Sequence, residues 1–335
     1  MIAAFGTLPD GRRVERVTLR GGGLTARLLN WGAVLQDLRL DGHAPPLVLG
    51  LESLADYRAH SRHFGATVGR CANRIRDGRC RIDGRAVQLD RNEGGRHHLH
   101  GGADNAGCRL WRIVRQAPDS VRFALSLPDG HMGYPGTLEI EAAFALPGDG
   151  VLEIAYTART DAPTLCNLAH HSYFDLDGRC DVRGHRLQVA AERYLPVDAD
   201  KLPLGPPACV GGTAFDFRAP RHLADPLDHN FCLADARGAL RPAAVLHGPL
   251  SGITMALHST EPGLQVYDGH NLDVPVPVPG LAGQRLGAYA GIALEPQIWP
   301  DSPNHPDYPQ ALLRPGETYR QQTRLVFRRD QSRAV

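Results

Sequence analysis

Lysine is nearly missing from this chain of 335 residues: Lys201 is the only one, and arginine supplies almost all of the positive charge. The formal net charge is +1, so no strong field draws the chain toward nucleic acid or an anionic membrane. Cysteine is present but unpatterned. Its seven positions (71, 80, 108, 166, 180, 209 and 232) form an odd set with no C-x-x-C. That argues against a disulfide framework and a thiolate zinc site, and it points to a reducing cytoplasmic setting. No run approaches the roughly 20 apolar residues of a membrane span. The opening MIAAFGTLPDGRRVERVTL lacks a basic segment followed by a long apolar one, so no signal peptide is expected.

Several catalytic signatures are missing as well. There is no G-x-S-x-G elbow for a serine nucleophile, no Walker loop, no G-x-G-x-x-G opening a helix after a strand, and no H-E-x-x-H. Ser172 directly follows His171, and neighbours in a strand point to opposite faces, so the two cannot act as a Ser-His pair.

What the chain does have is a period of two. Residues 12–19, 24–29, 34–40, 79–89, 111–114, 121–127, 138–146 and 151–157 read as short strands, many alternating apolar with polar side chains, with Gly, Pro, Asp and Asn between them. LEIEAAFAL and VLEIAYTA flank Pro147-Gly148-Asp149-Gly150, a hairpin signal. Residues 51–61 alone suggest a short helix. The pattern predicts an all-β fold, a large β-sandwich, rather than a βαβ chain. No repeat, linker or boundary divides the chain, so residues 1–335 are expected to form one domain. Residues 273–280, DVPVPVPG, cannot join a central ladder and are expected to be an exposed loop in polyproline II form.

Near the C-terminus, GIALEPQIWPDSPNHPDYPQALLRPGETY places Glu295 at the end of an apolar run. Prolines at 296, 300, 303, 306, 309 and 315 stiffen the loop that follows. A carboxylate mounted in this way suits a general base, whereas a lone Glu-Pro is ordinarily a surface turn. Histidine clusters in RHHLHGG (His97, His98, His100) and CNLAHHSYFDLDG (His170, His171), and LDHNF holds Asp228 and His229. Without an i,i+4 His pair or acidic partners nearby, no metal site is expected. His97 and His98 read as solvent-facing or hydrogen-bonded loop residues. A pair of glycosidase carboxylates stays open, although no local pair points to one. One carboxylate, one or two histidines, the Asn73-Arg74 pair and nearby aromatics suit a hydroxyl-rich ligand.

These blocks, taken in order, resemble those of a known family. GRCANRI (69–75), HHLHGG (97–102), MGYPGTLEIE (132–141), NLAHHSYFDLDG (167–178), ERYLPVD (192–198), GGTAFDFR (211–218), LDHNF (227–231), EPGLQVYDG (261–269) and ALEPQIWPDSPNHP (293–306) are similar to the aldose 1-epimerases, the galactose mutarotases, essentially end to end. The resemblance implies a single-domain antiparallel supersandwich that interconverts the α- and β-anomers of free aldoses. It implies Glu295 as catalytic base and His171 as catalytic acid. It assigns substrate binding to Asn73, Arg74, His100, Asp228 and Gln265. His170 and Asp175 stand where the family commonly has Asn, and Asp268-Gly269-His270 stands where Thr-Gly-Asn is usual; both departures bear on the preferred sugar.

Mutarotation removes a proton from the C1 hydroxyl and delivers one to the ring oxygen. One base and one acid suffice, each contributing about 10²–10⁴-fold, with no metal and no cofactor. The partner expected is a small monosaccharide, met by a cytoplasmic monomer or weak homodimer. The carboxylate and imidazole should face each other across roughly 4–7 Å, a span set by two hydrogen bonds to neighbouring atoms of one sugar. Two rival readings use the same fold. One is a sugar-phosphate epimerase, with Arg70, Arg74 or Arg76 meeting the phosphate. The other is a sugar-binding module without catalysis.

Overall fold

The computed structural model describes residues 1–61, 63–223, 226–275 and 277–330. Strands dominate, and every pairing between named strands is antiparallel. The largest sheet has nine strands. It runs from Arg112–Gln116 at one edge to Arg221–His222 at the other, with Val151–Thr160, Tyr319–Arg329 and Ile253–Ser259 in its middle. A second sheet has six strands in the order Tyr173–Phe174, Ile292–Gln297, Gly263–Tyr267, Asp228–Cys232, Arg193–Tyr194 and Ala208–Cys209. A four-stranded meander (Ile2–Thr7, Arg13–Gly21, Leu24–Leu29, Val34–Leu40) forms the N-terminal part.

The period-two pattern explains the layering. In Leu138–Gly148 the buried set is Leu138, Ile140, Ala142, Phe144 and Leu146, with partly exposed residues between them. Its hairpin partner buries Leu152, Ile154, Tyr156 and Ala158. Gly148 pairs with Val151, leaving Asp149 and Gly150 as a two-residue loop with positive φ at both (49° and 71°), which is what a tight right-twisted hairpin asks of its turn. These side chains meet Phe231, Leu264, Val266, Ile292 and Leu294 of the six-stranded sheet and Leu19, Leu24 and Leu28 of the meander in one apolar core. Each Leu, Ile, Val or Phe among them, once buried, contributes about 1.5–3 kcal/mol.

The expected helix is present as Leu54–His60, with the Ser53 side chain accepting from the Asp56 N–H as its cap. The expected strand over 79–89 is two strands, Arg79–Ile82 and Arg85–Gln88, folded back at Asp83 and Gly84. The expectation for 273–280 needs correction. The described residues of this segment form no strand, but they are not simply exposed: Val274 is buried beside Leu272 and Leu286, while Pro275, Pro277 and Pro279 face outward. Val276 lies outside the described residues. Among the described residues, no helix is long and apolar enough to cross a membrane.

Candidate active site

Alternation along three neighbouring strands decides which polar side chains meet. Ile292–Gln297 is buried throughout. Ile292 and Leu294 enter the core between the sheets, so Ala293, Glu295 and Gln297 face the other way. Leu264 and Val266 take the core side of Gly263–Tyr267, and Phe231 takes it in Asp228–Cys232. That leaves Gln265, Tyr267, Asp228 and Asn230 on the face of Glu295. The ladder aligns Asn230, Gln265 and Glu295 in one cross-strand row, with opposite Cβ atoms about 4.5–5.5 Å apart.

His171 arrives by the same logic. Tyr173 pairs with Ala293, and that antiparallel register continued by two residues sets His171 opposite Glu295. His171 ends the Ala169–His171 strand, which is held by pairing with Ala66–Val68. Its Nε2 lies 3.5 Å from Oε1 of Glu295, with the side chains 5% and 2% exposed.

His100 completes the centre. His100 and Asn73 both have positive φ (53° and 61°) and clamp each other. The Asn73 N–H donates to His100 Nδ1 at 3.2 Å, and the His100 N–H donates to the Asn73 carbonyl at 3.0 Å. Gly101 lets the chain after His100 pack on Gly69, where a Cβ would lie 2.1 Å from the carbonyl oxygen. The clamp fixes the tautomer: an Nδ1 that accepts leaves the proton on Nε2. One polar atom from each of His100, His171 and Glu295 lies within 4.8 Å of the others. Three such groups could hold a cation by spacing alone. The His100 tautomer opposes it, since ligation through Nε2 would move the proton to Nδ1 and set it against the Asn73 N–H. The His63 ring packs on both histidines, with centroids 4.9 Å from His100 and 5.6 Å from His171.

A polar chain borders this centre. Arg74 is gripped by Glu93 through Nε (2.9 and 3.0 Å) and Nη2 (2.7 Å). Its Nη1 lies 3.8 Å from Asp228, and Asp228 accepts from Gln265 Nε2 at 2.6 Å. The Asn73 side chain accepts from the Arg74 N–H at 2.8 Å. Thus all seven residues singled out from the sequence converge. Several of their polar atoms, among them Glu295 Oε2, Gln265 Oε1 and His171 Nδ1, are buried without a hydrogen-bond partner.

A family model described as aldose 1-epimerase matches residues 15–326. The chain belongs to the aldose 1-epimerase family. It is 38% identical to a galactose mutarotase from Rattus norvegicus, over 96% of this chain and 97% of the relative. It is 36% identical to an aldose 1-epimerase from Escherichia coli K12, over 95% and 96%. A crystal structure of an aldose epimerase homologue from C. elegans superposes with a TM-score of 0.87 at 31% identity, covering 94% of this chain and 98% of that one.

Electrostatics in this epimerase site follow from burial. Desolvation pushes Glu295 well above the usual carboxylate range, the Asp228 charge adds to the rise, and Arg74 opposes it. Desolvation likewise drives His171 far down, helped by His63 and His170. His100 is depressed for the same first reason, with His63, His171 and Arg74 adding to it. For Arg74, burial works against the charge, but Asp228, Glu93 and Glu295 outweigh it and raise its pKa. Without ligand, the His171–Glu295 pair therefore favours one shared proton and no net charge.

Two expectations change at this site. Glu295 and His171 are closer than the 4–7 Å expected, at 3.5 Å. Of the two alternatives expected for His97 and His98, the hydrogen-bonded one holds, and both are buried; His97 accepts from the Asp77 N–H, and His98 bonds the Asp90 carbonyl and the Tyr134 hydroxyl. Of the departures from the family pattern, His170 points away from the site, its Nε2 on Ser172 and its ring against Phe144. Asp175 is spent on the N–H groups of Asp177, Gly178 and Cys180. His270 bonds Asp268 at 2.6 Å and its ring meets Tyr267, a residue on the site face. Glu93 and His63 were missed from the sequence. A Glu in a Gly-rich polar loop looks like any surface carboxylate until its partner is known.

Proposed function

We propose that the protein is a mutarotase that interconverts the α- and β-anomers of free aldohexoses such as D-galactose and D-glucose. The observation that carries this reading is a buried carboxylate and imidazole 3.5 Å apart, beside a histidine locked as an Nε2–H donor. Glu295 takes the proton of the C1 hydroxyl while His171 gives one to the ring oxygen. The bond between C1 and the ring oxygen breaks, and C1 becomes an aldehyde. Rotation about C1–C2 offers the other carbonyl face. The freed hydroxyl then attacks it, returning its proton to His171, and Glu295 returns its proton to the carbonyl oxygen. Protons balance within the cycle, so one proton on the pair is enough. Arg74 favours the ionised carboxylate, and sugar hydroxyls donating to Glu295 Oε2 favour it further. His100 donates toward the ring oxygen, where charge develops. Asp228, Gln265, Arg74 and Asn73 hold ring hydroxyls, and a site built to bond a hydroxyl discriminates against sugars that misplace it.

The sugar-phosphate alternative has little support. Arg70 is 1% exposed and donates to the carbonyls of Leu127, Pro128, Pro135 and Gly136. Arg74 is held by Glu93, and Arg76 by Asp198 at 3.2 Å. Guanidiniums already matched to carboxylates and carbonyls are poor phosphate receptors. The reading also takes residues 1–335 as one catalytic unit without metal or nucleic-acid partner, working in the cytoplasm as a monomer or weak homodimer. The net charge of +1 and seven unpaired cysteines support it. Polarimetry of freshly dissolved α-D-glucose and α-D-galactose tests the activity: catalytic amounts of protein should speed the approach to equilibrium. Binding without acceleration would make it a sugar-binding module.

A further inference from the structure

The inner face of the nine-stranded sheet is apolar except for a small polar patch, and that patch touches the backbone of the site. Tyr319 and Gln321 lie two apart on the Tyr319–Arg329 strand and so share its inner face. They are 4% and 3% exposed. The Tyr319 hydroxyl accepts from the Leu168 N–H at 3.0 Å and donates to Gln321 Oε1 at 2.7 Å. Gln321 Nε2 donates to the Pro296 carbonyl at 2.9 Å. Leu168 lies three residues before His171, and Pro296 directly follows Glu295. Tyr156, the cross-strand partner of Gln321, bonds the Thr67 hydroxyl at 3.0 Å, and Thr67 pairs with His170. Behind Tyr319, Arg237 stacks over the ring at 4.5 Å and is itself fixed by Glu261.

We infer that Tyr319 and Gln321 are positioning residues: a hydrogen-bonded brace, built on the opposite sheet, that sets the distance between His171 and Glu295. The inference rests on the roles proposed for those two residues. The strand carrying His171 has three residues, with His171 at its end, so pairing alone leaves its approach to Glu295 weakly fixed. The brace joins the two segments through two buried side chains that are bonded to each other. Its bonds go to main-chain groups, so it governs backbone spacing rather than the chemistry of either side chain. Proline at 296 contributes no N–H of its own, so its carbonyl is what the brace can grip.

The test is Gln321→Met, which keeps length and loses both hydrogen bonds, with Tyr319→Phe as a second variant that removes only one oxygen. Both should lower kcat about 10–10²-fold, as a misplacement of this order does, while KM changes little, because the groups assigned to sugar binding are untouched. The double variant should be no worse than about the poorer single one, as members of one unit behave. The His171 imidazole, followed by NMR in ligand-free protein, reports its contact with Glu295 without turnover, and its titration should move in both variants. Folded variants with wild-type kcat and an unmoved His171 titration would overturn the brace, as would a change confined to KM. If wild-type protein shows no mutarotation, the proposed activity fails, and the His171 titration alone still decides the brace.

Discussion

Two glutamates are buried almost completely in this protein, and their surroundings could hardly differ more. Glu261 meets Arg237 in a two-pronged pair at 2.6 and 2.9 Å. Glu295 has one oxygen 3.5 Å from a histidine and the other without a hydrogen-bond partner. Burial raises the pKa of both, Glu295 much further. A buried charge that is matched is part of the architecture. A buried carboxylate left unmatched, in a fold that satisfies its neighbours, marks a place where the missing partners come from a ligand.

The same substitution should therefore fail in opposite ways at the two positions. Glu295→Gln should cut turnover by about 10²–10⁴-fold, with a melting temperature close to or above wild type, since it replaces a buried carboxyl group that has one oxygen without a hydrogen-bond partner by a neutral group of the same shape. His171→Asn should cost about as much in rate. Anomer exchange followed by polarimetry, beside thermal melts, reads both; near-normal turnover in either folded variant would sink the assignment. Glu261→Gln should do the reverse. It leaves Arg237 uncompensated and should cost about 3 kcal/mol, the low end for a broken buried pair because Arg237 keeps some solvent contact. Turnover per folded molecule should fall no further than in Tyr319→Phe, because Glu261 reaches the site only through Arg237 and the Tyr319 ring. Urea unfolding checks it.

Acid should expose the wider set of buried neutral groups. Burial holds His98, His185 and His229 down at about 4, against about 6.5 in an unfolded chain. Above about pH 6.5 these groups are neutral in both states, and their burial carries no penalty. As pH falls from there toward 4, the unfolded chain takes up protons first, and stability drops by about 1.4 kcal/mol per pH unit for each such group. Urea midpoints between pH 7 and pH 4.5 should show this decline, and His98→Gln should flatten it. The smallest effect belongs to Glu93→Gln. A part-exposed ion pair is worth about 1 kcal/mol or less, so KM should rise by no more than about fivefold with kcat nearly unchanged. A large fall in kcat would give Glu93 a part in the chemistry.

How much of this could be read beforehand follows from range. Strands whose alternation is local, such as Leu24–Leu29 and Val34–Leu40, are found where the pattern set them. The parity rule that separated Ser172 from His171 also sends His170 into the core, although it was not applied there. The seven site residues were legible through family resemblance, not through spacing, because their meeting depends on pairings between strands distant in sequence, such as Gln265 with Glu295 and His171 with Ala66. Glu93, His63, Tyr319 and Gln321 carry no local signal. Gln321 sits in YRQQTRLVF, where either glutamine could face out, and only the sheet on the far side of the core decides that it faces in. The separation of Glu295 and His171, 3.5 Å, falls below a span set by two hydrogen bonds to neighbouring atoms of one sugar, because the two groups also contact each other directly.

The strand IALEPQ has one more consequence. Leu294 and Glu295 are neighbours, and one faces the core while the other faces His171. A misthreaded strand, shifted by a single residue, would push the carboxylate among Leu264, Val266 and Phe231 and set a leucine against His171. The carboxylate is thus also a proofreader of the protein's assembly. Molecules that complete the sandwich have it facing His171, so correct folding and the pairing of Glu295 with His171 are reached in the same step.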